Sequence, residues 1–221
     1  MIKVFNFVKF IATFFYWFYY KNNKFSQGNE ESILNKIFNA KEKGFYVDVG
    51  CHHPKRFSNT ALLYKKGWHG INIDADYKNL KLFKFFRKRD ININALVSSN
   101  NFISTFHFFN ESALNGIYGM DRVESLVQQG YKHLKSEKIN TISLNQILSN
   151  SKIDSNFIDL LDIDVEGHDF EVLKSIDLNK YEVKVILIEI GDNKNEITDY
   201  LASFNYKPFK MEDRNYFYMR N

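Results

Sequence analysis

The sequence predicts a doubly wound α/β sheet, on three observations. Short apolar runs alternate with amphipathic helical segments along most of the chain. The run at 183–190, VKVILIEI, is almost uninterrupted apolar sequence, as a central strand buried on both faces requires. The chain then ends in helix, strand, turn and strand, which puts an antiparallel strand at the last position of the sheet.

The elements follow in order. Asn29 is placed to cap a helix running to 43, with Ile33, Leu34, Ile37 and Phe38 as its apolar face. Residues 45–49 form a strand, and Gly67 stops a helix over 60–66. A second strand at 70–73 ends at Asp74, a helix covers 77–87, and a third strand covers 91–97. Residues 102–109 alternate as a further strand, with Ile103, Thr105, His107 and Phe109 set against Ser104, Phe106 and Phe108. The stretch 110–131 contains Gly116, Gly119 and Gly130 and has no strand period; it reads as an inserted loop with a short helix, placed to act as a lid. Ser143 caps a helix at 144–148, a strand with Asp159 and Asp162 occupies 157–163, and helices follow at 168–174 and 196–204. The last strands, 206–210 and 216–220, flank a turn at Asp213-Arg214-Asn215.

Composition narrows the class. With 221 residues, 44% hydrophobic and 25% charged, the chain supports one domain with a proper core and is not disordered. The 22 Phe and 13 Tyr read as the base composition of an AT-rich genome. A single cysteine, Cys51, forms no internal disulfide, which suits a reducing cytoplasm and excludes a Cys-rich zinc module. A net charge of +4 is too mild to argue for nucleic acid, and none is expected as a partner.

Residues 1–20, MIKVFNFVKFIATFFYWFYY, stand apart as an aromatic amphipathic helix. Lys3 and Lys9 leave only 10–20 free of charge, too short to cross a bilayer. Peripheral association with a membrane surface is the first expectation, docking on this chain or on a second copy as a homodimer the next, and a true span the last. The organisation expected is therefore 1–20 as this appendage, 21–43 as a leading helix, and 44–221 as the functional domain.

In an open α/β sheet, ligands bind outside the carboxyl ends of the strands. The residues there are Asp48-Val49-Gly50, Asp74, Asn94-Ala95, Asp164-Val165-Glu166-Gly167 and Glu189, so an acidic or amide group closes every inner strand. Carboxylates gathered on one rim repel one another unless they meet hydroxyls, an ammonium or a metal. The segment 48–59, DVGCHHPKRFSN, has one glycine only, and GxxxxGK[ST] is absent. A pyrophosphate has no glycine cradle here, which argues against NAD, FAD and ATP. Asp74, 74 − 48 = 26 residues after Asp48, is placed to accept from ribose hydroxyls. A nucleoside without phosphate and with positive charge suits such a rim, and S-adenosylmethionine is that molecule.

From about residue 44 to 190 the chain resembles the FkbM-type S-adenosylmethionine-dependent methyltransferases. The resemblance rests on Tyr46-Val47-Asp48-Val49-Gly50 with Pro54, Ser58-Asn59-Thr60 and the segment 66–74, KGWHGINID. It continues through 157–169, FIDLLDIDVEGHD, and Val185-Ile186-Leu187-Ile188-Glu189. It implies the class I methyltransferase fold: a Rossmann-like sheet of seven strands, the last antiparallel, with helices on both faces. It also implies that Asp48 and Gly50, with Asn59 beside them, line the methionine part of the cofactor. Asp74 would hold the ribose, and Asn94 and Ala95 would border the adenine. Methyl transfer to a hydroxyl oxygen of a sugar, glycan or natural product is the expected reaction. A non-catalytic protein of the same fold at a membrane surface is the alternative.

Asp164, Glu166 and His168 follow the strand beside the expected methyl group and are the catalytic candidates. His168 is the natural general base by its ordinary pKa, with helix capping as its other reading. Asp164, Glu166 and Glu189 offer oxygens to a divalent ion, but metal-independent transfer is the favoured expectation and no metal ligand is assigned. Cys51-His52-His53 departs from the smaller or amide residues usual in the family and reads as loop packing or acceptor contacts.

Overall fold

A computed structural model of the chain describes residues 24–151, 153 and 156–220. The aromatic segment 1–20, with its membrane, docking and span expectations, lies outside the described residues. Among the described residues, no helix is long and apolar enough to cross a membrane.

The chain runs through α1 (Glu30–Ile37), β1 (Phe45–Val49), α2 (Ala61–Lys65), β2 (His69–Asp74), α3 (Tyr77–Phe86) and β3 (Ile91–Asn94). It then leaves the main sheet for β4 (Leu96–Val97), β5 (Ile103–Phe109), β6 (Gly116–Ile117), α4 (Met120–Gln128) and β7 (His133–Ile142). After α5 (Leu144–Asn150) it returns as β8 (Phe157–Ile163), α6 (Asp169–Lys174), β9 (Glu182–Glu189), α7 (Lys194–Ala202), β10 (Tyr206–Glu212) and β11 (Asn215–Arg220).

The main sheet has seven strands in the order β10-β11-β9-β8-β1-β2-β3. Strands β3, β2, β1, β8 and β9 are parallel, and β11 inserts antiparallel between β9 and β10. Strand order therefore reverses between β1 and β8, the place where such a sheet opens a ligand crevice. Val47, Val49, Ile71, Ile73, Leu161, Ile163, Ile186 and Ile188 form one face, covered by Leu144 and Ile147 of α5, Val172 and Leu173 of α6 and Ile197 and Leu201 of α7. Tyr46, Leu160, Val185, Leu187 and Phe217 form the other, covered by Leu34 of α1, Phe38, Leu63 of α2 and the wholly buried Trp68. Both faces are covered along β1, β2, β8 and β9, whose residues are mostly buried.

Four expectations change. The leading helix stops at Ile37 instead of 43, because Phe38 turns in against Trp68, with ring centroids 4.9 Å apart. The strand expected over 91–97 is two strands: the Ala95 N–H donates to the Asp74 carbonyl, and Leu96–Val97 then pairs with β7 in the other sheet. Residues 110–131 are more structured than an inserted loop with a short helix, since they hold a 3-10 turn at Ser112–Leu114, β6 and α4. Strand β7, which the sequence did not signal, pairs antiparallel with β5 in a second sheet of order β4-β7-β5-β6. Most of its side chains are exposed, so its hydrophobic pattern carries no period.

The loop after β1 is held from below. Arg87, only 1% exposed, donates to the Pro54 carbonyl from Nε (3.0 Å) and Nη2 (2.9 Å), to Tyr46 Oη (2.9 Å) and to Ser58 Oγ (3.0 Å). At the mouth of that loop Gly50 has φ +87°, and a Cβ there would stand 1.8 Å from the Asp164 carbonyl oxygen. Only glycine satisfies both constraints. Gly50→Ala is expected to lower stability by about 2–4 kcal/mol, from backbone strain and forced separation of β1 and β8. Chemical denaturation checks this, and a change within about 0.5 kcal/mol would contradict it.

Candidate active site

A crevice opens at the carboxyl ends of the three strands flanking the reversal. Val49 and Gly50 come from β1 and its exit, Ile73 and Asp74 from β2, and Asp164, Val165, Glu166 and His168 from the turn after β8. Ala95, Leu96, Val97 and Phe106 make its apolar side, and Ser112, Ala113, Asn115 and Ile117 close it from the insertion. The insertion is latched in place by three contacts: a paired Arg56–Glu111 bridge (3.2 and 3.0 Å), His52 Nε2 with Ser112 Oγ (3.1 Å), and Asn115 Nδ2 donating to Asp76 Oδ2 (3.2 Å). The enclosed volume is about 60 Å³. Ligand pockets usually measure ~300–1,000 Å³, so the crevice is small with the insertion in this position. A wider cleft of about 970 Å³ lies between β3, α3, β7 and α5 and shares Ala75, Ala95 and Leu96 with the crevice. It lacks the carboxylates of the strand ends.

The turn after β8 is the most constrained part of the site. Glu166 and Gly167 both adopt positive φ, +58° and +96°. Asp169, the first residue of α6 and 4% exposed, pins them: Val165 N–H donates to its Oδ1 (2.9 Å) and Gly167 N–H to its Oδ2 (2.8 Å). The sequence signal for this role is an Asp five residues after Asp164, within the 157–169 segment. The turn presents Glu166 to the crevice. His168 precedes α6 without a side-chain cap bond and instead pairs Nε2 with Ser98 Oγ (3.0 Å).

Asp74 is 8% exposed and anchors the loop opposite. Its Oδ2 accepts from His52 N–H (2.9 Å) and Asn79 Nδ2 (3.1 Å), and its Oδ1 from Asp76 N–H (2.7 Å). A carboxylate has about four lone-pair positions, so one remains, on Oδ1. His52 was read as loop packing or an acceptor contact; it lies in the crevice wall with φ +47°, tied to the insertion through Ser112.

Three of the expected cofactor residues point elsewhere. Asp48 sits in register with Asp162 on the adjacent strand, and both side chains meet the start of α2: Thr60 Oγ1 donates to Asp48 Oδ2 (2.6 Å) and Asn59 Nδ2 to Asp162 Oδ1 (3.2 Å). Asp48 and Asn59 are therefore buried structural partners and do not line the crevice. The parity of the strand explains this, since Asp48 shares a face with Tyr46 and not with Val49. Asn94 bonds the Asp74 and Ala75 carbonyls (2.8 and 2.9 Å) and faces the wider cleft, whereas Ala95 borders both spaces. Gly50, Asp74, Ala95, Asp164, Glu166 and His168 do converge.

Asp164, Asp169 and Glu189 each bring an oxygen within 4.8 Å of the others. The set differs from the Asp164, Glu166 and Glu189 considered for a divalent ion, and both Asp169 oxygens already accept backbone N–H groups.

Crowding and burial tune these acids. Burial, then the charges of Glu189 and Asp169, push Glu166 up to about 7. Burial pushes Asp169 up to about 7, and Asp48 and Asp74 each up to about 6. Burial holds Asp164 well above the usual carboxylate range, reinforced by Glu189, Asp169, Glu166 and Asp162. His52 is pushed down to about 4, chiefly by burial, and burial also lowers His168, so the imidazole of His168 is neutral at pH 7. The raised acids give the folded state extra protons between about pH 4 and 7, while His52 and His168 lose theirs on folding and oppose the trend; the acids are the more numerous, so stability falls as pH rises through that window. The thermal midpoint is expected to be higher at pH 5 than at pH 8 by about 5 °C; a midpoint that rises with pH across the window would contradict the arrangement.

The chain also compares with known proteins. A comparison with curated proteins and with solved structures returns no significant match. The family described as the methyltransferase FkbM domain matches residues 48–216, more than half of the chain and including the crevice residues from Val49 to His168. With this match over a seven-stranded α/β sheet, the chain belongs to the FkbM methyltransferase family.

Proposed function

We propose that this methyltransferase uses S-adenosylmethionine and methylates a hydroxyl oxygen of a sugar, glycan or natural product, on a class I methyltransferase fold. The observation that carries the reading is the crevice at the strand reversal, lined by Asp74, Asp164 and Glu166 and entered by a single glycine, Gly50. Such a site offers hydrogen-bond acceptors to hydroxyls and ammonium but no cradle for phosphates. The strand order, with β11 antiparallel inside the edge, supports the same fold.

When bound, the cofactor supplies a methyl group on a sulfonium centre. The chain's own residues do the rest. Asp74 Oδ1 keeps one lone pair for a ribose hydroxyl, and the backbone at Gly50 lets the ligand lie against β1. Ala95, Leu96 and Phe106 offer an apolar slot for a base. The insertion excludes water from the reacting centre. In-line alignment of acceptor and methyl group supplies most of the rate, ~7–11 kcal/mol of barrier in well-oriented systems.

An alcohol needs its proton removed as it attacks. Glu166, pushed up to about 7, has the matched pKa and faces the crevice. His168 is neutral but already engaged by Ser98, so we assign it to orienting the turn and Glu166 to accepting the proton. Asp164, from the same turn as Glu166, lines the crevice beside Gly50.

The test is transfer of labelled methyl from S-adenosylmethionine to fractionated host glycans and lipids, with product hydrolysis to find the methylated atom. Label in hydroxyl ethers is the expected result; label on nitrogen or carboxylate would overturn it. Glu166→Gln is expected to cut turnover by about 10²–10⁴-fold while leaving the calorimetric affinity for S-adenosylhomocysteine within about twofold. Since Glu166 must be ionised to act, the wild-type rate should climb with pH through about 7 and the Gln variant should lose that dependence. Asp74→Ala should abolish cofactor binding; undiminished affinity would remove the ribose assignment.

A further inference from the structure

Three polar side chains converge at the root of the insertion, on the face of the second sheet turned away from the crevice. Phe106 lines the crevice from β5, and strand alternation puts His107 on the other side. His107 stands in register with Ser136 of β7, and a register shift after Phe108 brings His133 opposite Phe109. His107 Nδ1 lies 3.2 Å from His133 Nε2 and 3.2 Å from Ser136 Oγ, and that oxygen lies 3.3 Å from His133 Nε2. The three atoms mark a triangle of nearly equal edges. Each edge is longer than the usual hydrogen bond of ~2.7–3.0 Å. Ligand atoms ~2.0–2.1 Å from a tetrahedral zinc ion stand ~3.3–3.4 Å apart, which matches the triangle to within ~0.2 Å.

The two rings are also held as ligands are. His107 is 4% exposed, and its ring hydrogen-bonds the Tyr118 backbone, an outer contact of the kind that orients a metal-bound imidazole. Phe109 meets the His133 ring edge-on, with centroids 5.3 Å apart. Burial, then the neighbouring His133, holds the His107 pKa below the usual imidazole range, so a proton competes poorly for the ring. His133 is half-buried and Ser136 exposed, which opens the triangle to solvent and gives an ion its way in. Imidazole nitrogens suit zinc, whereas magnesium and calcium take oxygens.

We propose that His107 Nδ1, His133 Nε2 and a lone pair of Ser136 Oγ bind one zinc ion, with water in the fourth position. The two histidines bracket residues 108–132, so the ion fastens β5 to β7 at the base of the segment that brings Ser112, Asn115 and Ile117 to the crevice. Its role is structural, and its binding is independent of the methyl-transfer reading.

Zinc chloride is titrated calorimetrically into the full chain near neutral pH, after a chelator has been added and removed. One equivalent is expected to bind, to raise the thermal midpoint by about 5–10 °C at about a hundred times its dissociation constant, and to slow amide exchange over 110–131. His133→Gln is expected to weaken binding at least about tenfold, and Ser136→Ala, at an exposed position that tolerates the change, at least about threefold. Glu189→Gln alters the acidic group formed with Asp164 and Asp169 and should leave zinc affinity within about twofold. Magnesium at the same concentration should leave the midpoint where it was. No zinc binding by the wild type, unchanged affinity in either His133→Gln or Ser136→Ala, or a response that magnesium reproduces or Glu189→Gln removes, would overturn the site. Zinc binding that left exchange over 110–131 unchanged would overturn its fastening role.

Discussion

The approach of the Gly50 backbone to the Asp164 carbonyl is the constraint on which the site depends. It is where the order of the sheet reverses: the Gly50 N–H donates to the Ile73 carbonyl, and the Asp164 N–H to the Val49 carbonyl. The exit of β1 is thus shared between β2 on one side and β8 on the other. A side chain at residue 50 would push the two halves apart. Because the backbones meet so closely, the turn after β8 must rise sharply away, through the left-handed residues Glu166 and Gly167. Asp169 then locks that rise by taking two of the turn's N–H groups. The orientation of Glu166 is a consequence of these backbone contacts.

The acids at the strand ends divide into two populations by what they already bond. Asp48 and Asp162 are consumed by Thr60 and Asn59 at the start of α2. These tie helices and loops to the underside of the sheet. Asp74 and Glu189 keep acceptor capacity, on Asp74 Oδ1 and on the unmet Glu189 Oε2, and Glu166 faces the crevice beside them. Acidity at a carboxyl edge is therefore a weak signal until the remaining lone pairs are counted. The same crowding that raises the pKa of Glu166 toward neutrality makes it a suitable proton acceptor. Closure is equally local: His52, Arg56 and Asp76, all from loops after sheet strands, hold the insertion over the crevice.

Much of the sheet was legible because burial imposes a strict pattern. The run 183–190 declared a central strand, and β9 occupies Glu182–Glu189 with both faces covered. Gly50, Asp74 and Glu166 were legible because strand ends determine where a ligand meets the sheet. Asp48 stands at the same rim but on the other face, which Tyr46 two residues earlier marks as the side covered by α2. Strand β7 left no trace, since its side chains face water and its partner β5 meets it through backbone bonds. Ser112, Asn115 and Ile117 could not be read at all. They reach the crevice only because β6 pairs with β5, a contact that no periodicity over 110–131 announces.

The most direct measurement is a crystal structure of the chain with S-adenosylhomocysteine. The account predicts the ribose at Asp74 Oδ1, the base against Leu96 and Phe106, the amino-acid end beside Gly50 and Asp164, and the insertion displaced outward. A nucleoside lodged in the wide cleft between α3 and β7, or no binding at saturating ligand, would contradict it.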